Sequence, residues 1–303
     1  MEHAVIQSDN NRNIDRKAIN LVIVFTPIPV RGPFLYIKIC HRPRKQNTPL
    51  PGGGLSFHFL LNFPMPIAAL NNINIYYNIT GNGAPILFLH GLGSQGLDWE
   101  PQSAFFQAAY QCILPDMRGH GQSDKPDEIY TIHSMGGSVA FQLADARPDL
   151  VQSMVIINSV SDWRMKTLKD KLKLWQRIMT VRFMGMRKMG AVLAARLLPK
   201  PEHESLREEF IEKWALNDTE AYLNSLKALT KWSLPAKRLA AITTPTLFIV
   251  SDNDYSPIEK KRKIVSQIQN AKLVVIEDAR HAVTVEYPEK VNKAIETFLN
   301  HLD

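Results

Sequence analysis

The fold is decided by residues 133–137, whose sequence is HSMGG. A serine followed two positions later by glycine suits a sharp turn from a buried strand into a helix, because small neighbours avoid a steric clash there. Gly136 supplies the small residue after Ser134, whereas Ile132 stands two positions before it, where such a turn favours glycine. Residues 136–144 then place apolar side chains at helical spacing, which predicts that Ser134 leads into a helix.

Short apolar runs on both sides of this turn predict buried strands. Residues 85–89 form one run that ends at the loop sequence HGLG, and residues 112–115 form another that opens onto the sequence DMRGHGQSDKP at residues 116–126. Residues 245–250 and 272–276 are apolar and rich in β-branched side chains, which is typical of buried strands. Since ligands and catalytic groups collect at the carboxyl edge of parallel sheets, we expect the loops after these runs to carry the function.

The order of these motifs resembles the α/β-hydrolase superfamily from about residue 65 to the C-terminus. The motifs are a strand with an H-G-x-G loop, a strand with D-x-R-G-x-G-x-S-D-x-P, and then H-S-M-G-G. The resemblance implies an α/β fold with a mostly parallel sheet, formed by one domain over residues 65–303. It also implies a helical cap over the active site, which we expect at about residues 161–235.

By the same resemblance, Ser134 is the candidate nucleophile, followed along the chain by an acid and then a histidine. In such a triad the histidine takes the serine proton, and the carboxylate fixes the tautomer of the histidine. Asp254 and His281 keep this order, and each follows a predicted strand. Asp254 is preferred as the acid because the sequence SDND resembles the family's G-x-x-D, whose last residue is the acid; Asp252 remains the alternative.

Acyl transfer also needs backbone N–H donors directed at the developing oxyanion. The resemblance assigns this role to the backbone of Leu92, after the H-G pair, and of Met135, after the nucleophile. His90, Arg118 and His120 are interpreted as residues that shape the loops.

The chain between Asp116 and Ser134 is too short for the usual crossover of the family. The step is 18 positions, most of it the turn-rich residues 118–126. A parallel crossover needs at least about 10–12 residues, usually with a helix. Only residues 128–132 could form a strand, so we predict that the central strand is missing or replaced. Either these residues substitute poorly for it, or the sheet is incomplete.

Residues 1–64 do not resemble the family, and we expect a disordered extension with the natural start at Met65. The apolar run at residues 19–25 is followed by Pro27 and is too short to span a bilayer. A small-residue cleavage pattern is absent, which disfavours a signal peptide.

Composition narrows the remaining classes of function. The chain has 303 residues, a net charge of +7 and two cysteines, which give no disulfide framework and indicate a reducing compartment, the cytoplasm. No nucleic-acid motif accompanies the positive charge, so the basic residues 164–200 are interpreted as solvated surface. The sequence predicts no cofactor, no metal and no stable membrane insertion, and it leaves the oligomeric state open.

Two functions remain open from the sequence. The first is a serine hydrolase that acts on a small ester, lactone or related acyl compound through an acyl-enzyme. The second is a catalytically impaired remnant or binding protein that keeps the outline of the fold. Serine at the nucleophile position disfavours dehalogenases and epoxide hydrolases, while haloperoxidase-like and carbon–carbon bond hydrolase activities would use the same machinery.

Overall fold

The computed structural model describes residues 19–23, 66–70, 72–126 and 136–302, with the backbone alone for residues 19–23. These residues form one sheet flanked by helices. The strands, in chain order, are β1 (Ile19–Ile23), β2 (Ile67–Leu70), β3 (Ile73–Thr80), β4 (Ala84–Leu87), β5 (Tyr110–Pro115), β6 (Val151–Ile157), β7 (Thr246–Ser251) and β8 (Ala271–Ile276).

The strand order in this sheet is β2-β3-β5-β4-β1-β6-β7-β8. β3 runs antiparallel to both β2 and β5, while the pairs from β5 through β8 are all parallel. The predicted α/β fold with a mostly parallel sheet is therefore confirmed. The carboxyl ends of β4, β6, β7 and β8 lie at one edge of the sheet, so the loops that follow these strands meet there.

Helices cover both faces of the sheet. They are α1 (Glu100–Phe106), α2 (Gly137–Ala146), α3 (Leu168–Leu197), α4 (Glu204–Ala215), α5 (Thr219–Leu229), α6 (Ala236–Ala240), α7 (Ile258–Val265), α8 (Val283–Glu286) and α9 (Pro288–Leu299).

Alternating side chains of the central strands divide the core between the two faces. Leu87 of β4 and Ile156 of β6 point into a cluster with α2, α3 and α5, whereas Ile86 and Val155 point into a cluster with α1 and α9. This alternation is the period of two that a strand imposes on its side chains. Since both faces are apolar, the central strands are buried on both sides.

The central place in the sheet, between β4 and β6, is occupied by β1. Ile19–Ile23 pairs in parallel with Val151–Ile156 on one side, and Asn20 pairs with Ile86 of β4 on the other. The prediction of disorder therefore does not hold at residues 19–23, and of the two predicted alternatives, a missing or a replaced central strand, the structure shows a replacement by β1. The physical reason is that a vacant central place would leave unpaired backbone groups on both neighbours, and an apolar, β-branched segment suits that place.

Several elements of the sequence prediction lie outside the described residues. They include the candidate strand at residues 128–132, the Ile132 mismatch, and the rest of the extension at residues 1–18 and 24–64.

The loop at residues 116–126 is held by the carboxylate of Asp116. Its two oxygens accept hydrogen bonds from the backbone N–H groups of Gly96 and Gln122, both at 2.7 Å. Gly121 has a φ of +50°, and a Cβ there would collide with this carboxylate, which explains the glycine in the motif. His90 Nε2 accepts a hydrogen bond from the backbone N–H of Met117 at 2.7 Å, as a loop-shaping residue would.

The segment between β6 and β7 contributes α3, α4 and α5, which fall within the range predicted for the cap. α3 is kinked at Gly185, where the backbone leaves helical geometry. Arg187 of α3 forms an ion pair with Glu212 of α4, and Met189 and Trp214 are buried between the same helices. None of the described helices combines the length and apolar character needed to cross a membrane.

Replacing Leu21 by proline tests the structural role of β1. Proline removes a backbone N–H from a strand that is paired on both sides, and central strands exclude it for that reason. We expect Leu21→Pro to lose the cooperative thermal transition measured by circular dichroism, because each buried unpaired group costs about 1–3 kcal/mol. The matched variant Leu21→Val keeps the N–H and should keep the transition; equal melting of both variants would show that β1 is dispensable.

Candidate active site

The loops after β7 and β8 bring together the two predicted residues Asp254 and His281. His281 Nδ1 donates a hydrogen bond to Asp254 Oδ1, and the exposed fractions of the two side chains are 2% and 1%. Because Nδ1 carries the proton in this bond, the lone pair of the neutral ring is on Nε2. The pair therefore has the orientation that a histidine base and its carboxylate partner require.

Asp252, the alternative acid, has a different environment. It is exposed, and its carboxylate accepts hydrogen bonds from the backbone N–H groups of Asp278 and Ala279 at 2.9 and 3.0 Å. These bonds hold the turn that precedes His281. Among the two carboxylates, Asp254 alone forms a hydrogen bond with the histidine ring in the described structure.

Lys261 of α7 is a buried cation beside this pair. Its side chain is 0% exposed, its Nζ donates a hydrogen bond to Asp254 Oδ2, and its Nζ lies 3.4 Å from Asn158 Oδ1. The sequence analysis missed Lys261, although it occupies an inward position between Ile258 and Ile264, spaced by three residues on one face of the helix. A lysine at such a position needs a buried anion as partner, and Asp254 is that anion.

Asn158, which follows β6, connects three loops of the sheet edge. Its Nδ2 lies 2.8 Å from Ser251 Oγ and 3.2 Å from the backbone oxygens of Arg280 and His281, while its Oδ1 accepts from the Ser251 N–H at 2.8 Å. Asn158 has a φ of +48°, a conformation that asparagine tolerates better than most residues. The sequence analysis missed Asn158, and the signal that could have identified it is its position directly after a buried strand.

Tyr255 covers one side of the histidine ring. The two rings are stacked with centroids 4.7 Å apart and planes inclined by 28°. Burial raises the pKa of the Tyr255 hydroxyl to about 12, so this ring stays neutral at ordinary pH. The stacking fixes the plane of the imidazole and thereby the direction of Nε2.

The charges of the site set the protonation of its groups. Burial lowers the pKa of His281 below its ordinary value, against the opposing effect of Asp254. Burial acts to raise the pKa of Asp254, but the His281 and Lys261 partners outweigh it and hold the pKa below the usual range. A neutral histidine beside an ionised carboxylate is the state in which the ring can accept a proton.

His281 Nε2 is buried and has no hydrogen-bond partner among the described residues. His281 lines a cavity of about 250 Å³ together with Tyr255, Leu92 and residues of the segment between β6 and β7. The apolar part of the lining includes Leu92, Leu193, Leu197, Leu206, Phe210 and Trp214. Such a cavity suits a small molecule with a mainly apolar body.

Ser134 and Met135 lie outside the described residues, and their predicted roles stay predictions. The described chain resumes at Gly136, which has a φ of +43° and directly precedes α2. Leu92 follows β4 at the edge of the sheet and is buried. In the described part of the chain, no three His, Cys, Asp or Glu side chains are grouped as metal ligands would be.

Comparison with known proteins gives relatives over most of the chain. The chain is 29% identical over 255 residues to (E)-2-((N-methylformamido)methylene)succinate hydrolase of Acinetobacter baylyi, covering 76% of this chain and 95% of the relative. It is 26% identical over 262 residues to 3-oxoadipate enol-lactonase 1 of the same organism, covering 76% and 94%.

Solved structures share the fold. The enol-lactonase from Burkholderia xenovorans superposes with a TM-score of 0.69 at 22% identity, covering 78% of this chain and all of that one. A thermophilic esterase from Thermogutta terrifontis gives 0.68 at 23% identity, covering 76% and 94%.

The family model described as alpha/beta hydrolase fold matches residues 84–132 and 127–288, two segments that overlap over residues 127–132. The matched residues cover most of the chain and include the Asp254–His281 pair. The chain belongs to the alpha/beta hydrolase fold family.

Proposed function

We propose that the chain is a serine hydrolase of a small ester, lactone or related acyl compound, with Ser134 as nucleophile. The observation that carries this proposal is the buried Asp254–His281 pair: the histidine lines a cavity together with Leu92, and its Nε2 has no hydrogen-bond partner among the described residues. The relatives named above are hydrolases, which favours an active enzyme over the remnant.

In the proposed first half-reaction, Ser134 Oγ attacks the acyl carbonyl carbon while its proton passes to His281 Nε2. Asp254 stabilises the imidazolium that forms, and the backbone N–H groups of Leu92 and Met135 stabilise the oxyanion. His281 then gives the proton to the leaving alkoxide, which departs as the alcohol. An acyl-enzyme on Ser134 remains.

Water completes the proposed cycle. His281 takes a proton from a water molecule that attacks the acyl carbonyl, and it returns this proton to Ser134 Oγ as the ester bond to the enzyme breaks. The acid product is released and the neutral histidine is restored. Both half-reactions need His281 unprotonated at the start, so activity requires a pH above the pKa of His281.

A fluorophosphonate probe tests the nucleophile. We expect covalent labelling at Ser134, detected by mass spectrometry, and loss of labelling in Ser134→Ala with esterase turnover reduced at least about 10³-fold. Ser138→Ala is the matched control, because Ser138 lies one helical turn further along in α2 and is buried. Absence of labelling in folded wild-type protein, or labelling at another residue, would contradict the proposal.

Lys261→Met tests how the buried cation sets the protonation of the site. Lys261 and Arg177 act with burial to lower the pKa of His281, while Asp254 raises it. Removing the Lys261 charge should raise this pKa, so the acid limb of kcat/KM should move to higher pH. NMR titration of the His281 ring gives the same shift without relying on activity.

Lys260→Met is the control for this prediction. Lys260 is the neighbour of Lys261 in α7, but its Nζ donates to the backbone oxygen of Asp162 at 3.2 Å rather than to Asp254. Its replacement should leave the acid limb close to that of the wild type. A purely structural role of Lys261 would lower kcat without moving the limb, and a shift to lower pH would contradict the assignment.

A further inference from the structure

Arg177 of α3 is a cation in the lining of the cavity that contains His281. The side chain is half-buried, and its Nε donates a hydrogen bond to the hydroxyl of Tyr222 at 2.6 Å. The guanidinium carbon lies 5.5 Å from the centroid of the Tyr222 ring. Tyr222 is buried in α5, so this contact holds the arginine in a defined place above the site.

The guanidinium of Arg177 has no carboxylate within 4.0 Å among the described residues, unlike other cations of the same helices. Arg182 lies 3.6 Å from Glu220, and Arg187 pairs with Glu212. Lys213, the other basic residue of the cavity lining, pairs with Asp98 at 3.1 Å and Glu209 at 2.8 Å. Arg177 therefore keeps its terminal N–H groups available.

The acidic side chains of the cavity do not serve as partners of Arg177. The carboxylate of Asp98 accepts from Ser94 Oγ at 2.6 Å, in addition to its ion pair with Lys213. Glu100 is exposed to solvent. Besides Asp254, the charges that act on His281 are the positive ones of Lys261 and Arg177, and the guanidinium carbon of Arg196 lies 4.4 Å from the Tyr255 ring centroid.

An arginine without a counter-ion in a mainly apolar cavity is costly, and its planar fork matches a carboxylate with two parallel hydrogen bonds. The positive charge of Arg177 also acts to lower the pKa of His281 and of Tyr255, so the guanidinium lies within electrostatic range of the proposed base. A carboxylate on Arg177 would therefore belong to the same small molecule that presents its acyl carbon near His281 Nε2.

We propose that Arg177 binds a carboxylate of the substrate, so that the enzyme prefers esters or lactones whose acyl part carries a second, ionised carboxyl group. This assignment rests on the proposed function for the identity of the reacting bond. It adds the chemical class of the substrate and the residue that selects it.

Two esters with the same leaving group and the same acyl length test this assignment. They are the mono-4-nitrophenyl ester of glutaric acid, whose acyl chain ends in a carboxylate, and 4-nitrophenyl valerate, whose acyl chain ends in a methyl group. We expect the wild type to have the higher kcat/KM for the glutarate ester. In Arg177→Met the ratio of the two kcat/KM values should fall by about 10–100-fold, the range for loss of a charge-assisted hydrogen bond. Taking the ratio removes any effect of the mutation on His281.

Arg182→Met is the matched control on the same helix and should leave the ratio unchanged. Arg177→Gln keeps a donor for Tyr222, so it provides the same test if Arg177→Met does not fold. An unchanged ratio in a folded Arg177 variant, or a wild type that prefers the valerate ester, would overturn the assignment.

Calorimetric titration with glutarate separates this assignment from the proposed function. If the wild type hydrolyses neither ester, the proposed function fails, while the carboxylate site is still tested by binding. Binding of glutarate to the wild type that weakens at least about 10-fold in Arg177→Met or Arg177→Gln, equivalent to about 1.4 kcal/mol, supports the site. Equal binding, or none to the wild type, overturns it.

Discussion

The structure depends on backbone pairing at the centre of the sheet, between β4 and β6. Both faces of these strands are covered by apolar clusters, so water cannot satisfy backbone groups that a missing strand would leave unpaired. Ile19–Ile23 supplies the pairing, and neighbouring strands then lie about 4.8 Å apart. The strands β4 and β6, whose following loops carry Leu92 and Asn158, are therefore held two strand spacings apart.

A second level of organisation is the network of buried charge behind the cavity. Asp254 is shared between His281 and Lys261, and Asn158 contacts both Lys261 and the backbone of His281. Burial lowers the pKa of the His281 imidazole against the opposing effect of Asp254, and the charge of Lys261 adds to the effect of burial. Arg177 adds a positive charge that acts on His281 from the lining of the cavity.

Much of the fold could be predicted from local signals in the sequence. The runs at residues 85–89, 112–115, 245–250 and 272–276 correspond to β4, β5, β7 and β8, because a strand buried on both faces must be apolar along its whole length. The positions of Asp254 and His281 could be predicted because each follows a predicted strand, and catalytic groups collect at the carboxyl edge of parallel sheets. β1 could not be predicted this way, since its pairing joins residues more than a hundred positions apart and its flanking sequence resembles no part of the family.

The buried polar residues behind the site were also beyond the sequence patterns used. Lys261 and Arg177 occur in segments rich in basic residues, and only the packing of α7 and α3 distinguishes them from solvated neighbours such as Lys260 and Arg182.

Hydrogen–deuterium exchange of the full-length chain tests most directly whether Ile19–Ile23 completes the sheet. If β1 is paired on both sides, its amides should exchange as slowly as those of Val151–Ile157, since both strands would open only with the whole sheet. Exchange of Ile19–Ile23 at the rate of an unfolded peptide, with Val151–Ile157 still protected, would contradict the central place given to β1.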